Sequence, residues 1–530
     1  VAVAVGSPPW ALAGFAGRTA RRYSPVIGIA VLILAWQVVA SVTGNPAVPT
    51  PVAVLARIGR DGFGFYWANL STTLAETLAG LVIGNVIGLG LGIVAASHRL
   101  LTRPALHVAM LTYTVPIIAV GVILTTLYSG SVPRIATAAI YVVFTTTLGT
   151  VAGLRASSRR SLELMEAFGA RRPAIWVKVR IPSAMPNIAT GLKLSAPAAM
   201  LGAIVGSYLG GDRGVGVAMV AAQRSGDVER TWAFAVLATV VAALLYGAMG
   251  FATGRFTRWL PDMSSTLWSQ PPMRWYQRVS LAVAVLMLSL GLWTALLYLM
   301  DVDAFLSRTP LEVADYLIHT TPAERAALLS ATGETLAHAA LGFVAGLAAA
   351  LATAALLTLR PASRGMVMPM ALLGQAVPFV VFLPVCLTVF GRGLVSIAIV
   401  GGLVSFFPVL LNIDDALRRT PLRAGELLAC CGYSRSATLR KVQLPYATVA
   451  LIASTRIAVP GALAGAVLVE YLALGNGLGH LMVTSVTQFD YSRLWAAVVL
   501  LTCASVVLGA TSRVVERRVC RRLHLPAEDL

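Results

Sequence analysis

Residues 163–186 read ELMEAFGARRPAIWVKVRIPSAMP, and residues 426–449 read ELLACCGYSRSATLRKVQLPYATV. Each copy has Glu, then Gly six residues on, then Pro thirteen residues after that. Both are polar, basic interruptions in a chain that is 57% hydrophobic and only 12% charged. A shift of 263 positions aligns 163–235 with 426–498 without a gap. It pairs Glu163 with Glu426, Gly169 with Gly432, Lys178 with Lys441, Pro182 with Pro445 and Pro197 with Pro460. Further on it pairs Tyr208 with Tyr471, Gly214 and Gly216 with Gly477 and Gly479, Asp227 with Asp490, Arg230 with Arg493, and Trp232 with Trp495. Earlier in each half the shift is 258, matching Glu76, Gly84 and Gly88 to Glu334, Gly342 and Gly346. The chain is an internal duplication, which must be recognised before any single element is interpreted.

What surrounds the two interruptions is membrane-like. A mean hydropathy of +0.80 is far from the soluble norm, in which about a quarter of residues are charged. Twelve apolar runs follow one another, six per half, the first near 24–44 and the last near 494–512. Runs of about 20 apolar residues match the thickness of a bilayer. They lack two-residue alternation, so they are helices, whose backbone groups pair internally. The expectation is an all-α integral membrane protein of about 12 transmembrane helices in two parallel six-helix repeats, related by an axis along the membrane normal.

The net charge of +19 resembles a nucleic-acid footprint only until its distribution is considered. With Arg18, Arg21 and Arg22 placed in the cytoplasm, alternating spans put most of the 41 Lys and Arg on that side. That skew is the positive-inside signature, so both termini are expected in the cytoplasm, with a lipid bilayer and not nucleic acid as the partner. The acids Asp301, Asp303, Glu312, Asp315 and Glu324 gather in one external segment. The expected division is a cytoplasmic segment 1–23, six spans in 24–254, a linker 255–276, six spans in 277–515 and a cytoplasmic tail 516–530. No cleavable signal pattern is evident, and the first run reads as an anchor. The five cysteines have no metal-ligand spacing and read as small apolar fillers.

Each interruption connects the fourth and fifth spans of its half, over 157–185 and 418–446. Segments 159–168 and 422–431 have helix-compatible composition, and Gly169 and Gly432 suit a helix C-terminus followed by a turn. Pro182 and Pro445 then lead back into the membrane. This spacing resembles the EAA loop of permease subunits in binding-protein-dependent ABC importers: Glu-Ala-Ala, three residues, Gly, nine residues, then hydrophobic, any, hydrophobic, Pro. The chain keeps Glu, Gly and Pro, ending in Val179-Arg180-Ile181-Pro182 and Val442-Gln443-Leu444-Pro445, while Leu164-Met165 and Leu427-Leu428 replace the alanines. PTPVAVLARI near 49, the glycines at 80, 84, 88, 90 and 92, and EYLALGNGLGHLM from 470 resemble the nitrate, sulfonate and taurine branch.

The resemblance implies a type I importer architecture with both permease halves fused. It implies a separate cytoplasmic ATPase, in two copies, that uses ATP and docks on the EAA loops, and an external substrate-binding protein that delivers a small solute. On this basis Glu163, Gly169, Arg171, Arg172, Pro182, Glu426, Gly432, Arg435 and Pro445 are the expected ATPase-coupling residues. Glu163 and Glu426 pair either with the ATPase or with local arginines. The chain cannot form a Walker A loop, because Lys178, Lys193 and Lys441 are its only lysines and follow Val, Leu and Arg. No cofactor is expected on this chain.

Candidates for the solute pathway are polar or helix-breaking residues within spans: Pro116, Ser207, Gln375, Pro378, Asn412 and Glu470. Glu470 has Ser207 as its counterpart, so the halves are not equivalent; an interfacial carboxylate is the bland alternative. Lys193 and Arg456 either snorkel to the cytoplasmic interface or attract an anion. Asp227 with Arg230 and Asp490 with Arg493 read as local ion pairs. The rival classes are an ion-gradient-driven secondary transporter with two six-helix repeats and a non-transporting scaffold. Neither accounts for the duplicated loop, and the scattered histidines form no catalytic constellation.

Overall fold

A computed structural model describes residues 27–97, 117–155, 157, 159–257, 275–299, 301–376, 378–419 and 433–522. Every one of the twelve apolar runs carries a helix. Eight are long and apolar enough to cross a membrane, and four are shorter, counted among the described residues. The first half comprises α1 (Ile27–Thr43), α2 (Pro51–Asp61), α3 (Phe63–Ser97), α4 (Ile117–Leu127), α5 (Val132–Arg155), α6 (Arg159–Ala167), α7 (Arg172–Gly210), α8 (Val215–Arg224) and α9 (Val228–Thr257). In the second half α10 (Trp275–Leu299), α11 (Pro310–His319), α12 (Pro322–Leu359), α13 (Arg364–Ala376), α14 (Phe382–Phe390) and α15 (Leu394–Arg419) come first. They are followed by α16 (435–473), α17 (Gly477–Thr487) and α18 (Tyr491–Arg522).

Small residues set the spacing within each half. In lipid, helix association relies on close packing rather than on exclusion of water. Gly80, Gly84, Gly88 and Gly92 recur every fourth residue on α3 and face Ala138, Val142, Thr146 and Thr150 of α5. Gly90 points elsewhere, into open space. In the second half Gly342 and Gly346 of α12 meet Gly401 and Gly402 of α15, backbone against backbone. On the other side of α5, a Cβ on Gly202 of α7 would lie 2.6 Å from the Ala138 Cα and from the Thr137 carbonyl oxygen.

The duplication is visible in matched local devices. Thr50 caps α2 and Thr309 caps α11, each followed by Pro at the first helical turn, where its missing N–H is harmless. Trp36 stacks on Trp232 at 4.9 Å, and Trp293 stacks on Trp495 at 5.1 Å, tying the first span of each half to its sixth. The indole N–H groups of Trp232 and Trp495 donate to the carbonyls of Ala47 and Leu306.

One expected span is not continuous. The run near 365–389 divides into α13 and α14: α13 ends at Ala376, Pro378 is extended (ψ 110°), and a 3-10 turn, Phe379–Val381, leads into α14. Hydropathy registers apolar content and is blind to such a break. The halves interlock through these third spans, with α4 against α16 and α18, and α14 against α8 and α9.

The core is divided unevenly. One apolar cluster joins both halves and lies at the bundle end away from the basic loops, including Val122, Val205, Leu209, Val380, Leu383 and Val467. Among the described residues, the clusters nearer the basic loops each belong to a single half: Ala96, Leu154 and Ala184 in the first, and Leu357, Leu410, Leu417 and Ala447 in the second.

At the far end a charged network ties α2 to α9. Arg230 grips Asp61 through two hydrogen bonds of 2.9 and 3.0 Å, Arg57 reaches Asp227 at 2.6 Å, and the Tyr66 hydroxyl donates to Asp61 at 2.8 Å. The expected Asp227–Arg230 pair is present at 3.3 Å as one edge of this network. Asp227 and Asp490 each accept from the backbone N–H of the arginine three residues on as a helix cap, but in the second half the Arg493 side chain pairs with Glu324 at 2.8 Å.

Two outcomes are expected. Gly202→Ala lowers the thermal unfolding temperature in detergent, with an overpacking cost of about 1–3 kcal/mol, whereas Gly90→Ala leaves it within error. The Arg230 guanidinium, aided by Tyr66 and Arg57, outweighs partial burial and holds Asp61 well below the usual carboxylate range. A depressed native pKa contributes stability that is full above the ordinary value of about 4 and is lost as pH falls through the lower native value. Asp61→Asn therefore destabilises by about 1–3 kcal/mol at pH 7, and the difference from wild type persists at pH 5 and shrinks only in stronger acid.

Candidate coupling loop and outer gate

In the first basic loop, α6 ends in a Schellman turn. The Ala170 N–H donates to the Met165 carbonyl and the Gly169 N–H to that of Glu166, with Gly169 at φ +70°. A left-handed residue at this place is what the sequence pattern required, and it reverses the chain within a few residues. Glu163 and Glu166 are exposed on α6, and Arg171 and Arg172 are exposed at the start of α7. Phe168, just before the turn, is 81% exposed, and Leu164 beside it 57%. Phe168 was not singled out by sequence, because one aromatic residue in a basic loop has no periodicity to betray it.

Pro182 does not begin a new element. Helix α7 runs continuously from Arg172 and accommodates Pro182 through a π turn, Trp176–Arg180, in which the Ile181 N–H reaches back to the Trp176 carbonyl. Proline lacks the N–H that would bond four residues back, and its ring crowds that carbonyl; widening the preceding turn relieves both. The second half repeats the device, with a π turn Leu439–Gln443 before Pro445 and the Leu444 N–H bonded to the Leu439 carbonyl. Arg435 opens this helix. Glu426 and Gly432 lie outside the described residues, as does Pro116.

At the far end, the ends of α7 and α16 organise two polar clusters. Glu470 is fully buried: Thr335 donates to it at 2.8 Å, the Gly479 N–H at 3.0 Å, and His338 Nδ1 lies at 2.7 Å. Glu334 accepts from the Gly477 N–H, and Thr335 also accepts from the Leu478 N–H. The carboxylate thus fixes the turn between α16 and α17. In the first half Ser207 takes its place and bonds only to its own helix, at the Ile204 carbonyl. The buried charge there is instead Glu76, paired with Arg134 at 2.7 Å, while Arg134 also reaches Asp212. That hydrogen bond keeps the exposed Asp212 carboxylate below its ordinary pKa.

The other candidates are dispersed. Gln375 stands on α13 one residue before its end, Pro378 is buried at the break, and Asn412 is exposed on α15 beyond Pro408. Lys193 lies over the Tyr246 ring at 4.5 Å, whereas Arg456 is bound to the buried carboxylate of Glu516 at 2.6 Å, so Arg456 does not snorkel freely. Sequence reasoning passed over Arg134 and His338. The usable signal was Glu76, an ionisable group inside an apolar run that needs a buried partner.

The family described as binding-protein-dependent transport system inner membrane component matches this chain twice, over residues 88–261 and 342–524. A probable ABC transporter permease protein of Haemophilus influenzae is 26% identical over 239 residues, which is 44% of this chain and 97% of the relative. The formylaminopyrimidine transport permease protein ThiX of Halalkalibacterium halodurans is 26% identical over 201 residues, 38% of this chain and 80% of its own. The nitrate import permease protein NrtB of Leptolyngbya laminosa is 26% identical over 267 residues, covering 47% of this chain and 93% of its own. Relatives of nearly full length thus span about half of this chain, as a duplicated unit requires. The chain belongs to the binding-protein-dependent transport system inner membrane components, and is an ABC importer permease carrying two family domains in one polypeptide.

Proposed function

We propose that this permease moves a small solute inward by alternating access between its halves, taking them as 24–254 and 277–515 joined by the linker 255–276, with both termini cytoplasmic. ATP is hydrolysed in a separate subunit. Two copies of that ATPase dock on the loops 157–185 and 418–446, and a substrate-binding protein delivers the solute at the opposite face. The division of the core carries this reading: the halves share apolar packing at the end away from the basic loops and keep separate clusters toward the loops. That is the arrangement of a transporter closed on the outside, whose loops are free to be pulled together.

Docking depends on Phe168 and Gly169. An exposed aromatic side chain on a rigid turn is the kind of anchor that dominates an interface once a partner pocket closes over it. Arg171 and Arg172 add complementarity to acidic partner surface, and Gly169 fixes the angle at which α6 meets the partner. Glu163, Pro182, Glu426, Gly432, Arg435 and Pro445 complete the coupling set, the prolines marking the π turns through which α7 and α16 receive the motion. The relatives named for nitrate, formylaminopyrimidine and aliphatic sulfonates support the reading of a small solute. Gln375, Pro378 and Asn412 remain the proposed contacts along the path.

Purification of the native complex from membranes tests the docking. Phe168→Ala retains the ATPase at least about tenfold less well, with unchanged amounts of the chain in the membrane. Gly169→Val, which forces a β-branched residue into a left-handed turn at a cost of roughly 1–2 kcal/mol, uncouples ATP hydrolysis from uptake. Uptake that persists without ATP while an ion gradient is kept contradicts the reading.

A further inference from the structure

Helix position sends residues 207 and 470 into their own halves, and it sends the next residue, one hundred degrees round the helix, toward the other half. These next residues are Tyr208 and Tyr471, identical in the two repeats. The Tyr208 hydroxyl donates across the interface to the Val380 carbonyl at 3.3 Å, with the weakly accepting Met219 sulfur at 3.5 Å. The Tyr471 hydroxyl donates in the opposite direction, to the Leu209 carbonyl at 3.1 Å.

Both acceptors are carbonyls that lack the helical donor four residues on. Val380 lies in the 3-10 turn after the break at Pro378, and the residue four positions on is Pro384, which has no N–H. Leu209 is in the last turn of α7, which ends at Gly210, and so is among the carbonyls without an intrahelical partner. Inside a bilayer such a group has no water to bond. Each half therefore donates a hydrogen bond to a helix-end carbonyl of the other, beside the long contact of the Thr125 hydroxyl to the Leu209 carbonyl at 3.5 Å, at the end of the molecule where the two share a core.

We propose that Tyr208 and Tyr471 are the latch of the outer gate: their hydroxyls hold the halves together in the outward-closed state and must let go when the transporter opens to its binding protein. The buried neighbours tune the latch without touching it. Glu470, bonded to Thr335, His338 and the Gly479 N–H, fixes the helix end that carries Tyr471, and Thr73, which accepts from the Val215 N–H, and Arg134, paired with Asp212, hold the end that carries Tyr208. The inference rests on the alternating-access reading above.

The test uses the whole complex with its ATPase, in a chain whose five cysteines are replaced by alanine. Spin labels are placed on Ser225→Cys and Gln488→Cys, exposed matching positions at the ends of α8 and α17, and their separation is measured without nucleotide. Wild type gives one short distance. Tyr471→Phe and Tyr208→Phe, which keep the rings and remove only the hydroxyls, each add a longer distance, raising the open fraction roughly fivefold per bond lost. Basal ATP hydrolysis rises in parallel. Phenylalanine variants identical to wild type overturn the latch, as does opening by Tyr471→Leu but not by Tyr471→Phe, because ring packing would then be the whole effect. If the wild-type labels never separate during ATP turnover, alternating access at this face fails, and the latch with it; separation in wild type with no change in the variants rejects the latch alone.

Discussion

A peptide carbonyl inside a bilayer must find its donor within the protein, and this constraint governs every place where a helix of this permease is interrupted. Before Pro182 and Pro445 the chain answers it locally, by widening one turn so that the next N–H reaches five residues back. After Pro378 and at the end of α7, tyrosines of the opposite half donate to the carbonyls. The interruptions consequently fall toward the two ends of the molecule: the π turns at the basic-loop end, and the others where the halves share a core. A bond that can be made only between halves is also one that breaks when they part.

Duplication gave both halves one backbone plan, and the side chains have since solved its electrostatic problems separately. The first half buries Glu76 against Arg134, and the second buries Glu470 against His338 and Thr335. Near the loop end, Lys193 rests on an aromatic face while its counterpart Arg456 holds a carboxylate. Buried charges are tolerable only when paired, so a carboxylate that arises in one half demands a local partner and leaves the other half unaffected. Fusion in one chain makes such divergence heritable, since each half always meets the same neighbour.

Much of this was legible in the sequence. Twelve apolar runs became twelve helical regions, the four-residue glycine spacing became the α3–α5 contact, and Gly169 stands in the left-handed turn its position demanded. These features are local, or periodic along one helix. What escaped depends on contacts between distant segments. The break at Pro378 hides in an apolar run, Pro182 looked like a boundary and lies within a continuous helix, and Glu470 gives no sign in sequence of the histidine 132 residues away that surrounds it. Phe168 was missed for another reason: exposure is a property of the folded loop, and composition alone cannot distinguish an anchor from a core residue.

The central claim is that ATP draws the two loops together while the outer ends hold or release. The most direct measurement is the distance between spin labels on Pro173→Cys and Ser436→Cys, matching exposed positions just beyond the two coupling turns, in the reconstituted complex. The account predicts a long separation without nucleotide, a short one when ATP is bound and hydrolysis is blocked, and a return to the long one after release. A separation that stays the same in all three states, in a complex that hydrolyses ATP, would contradict it.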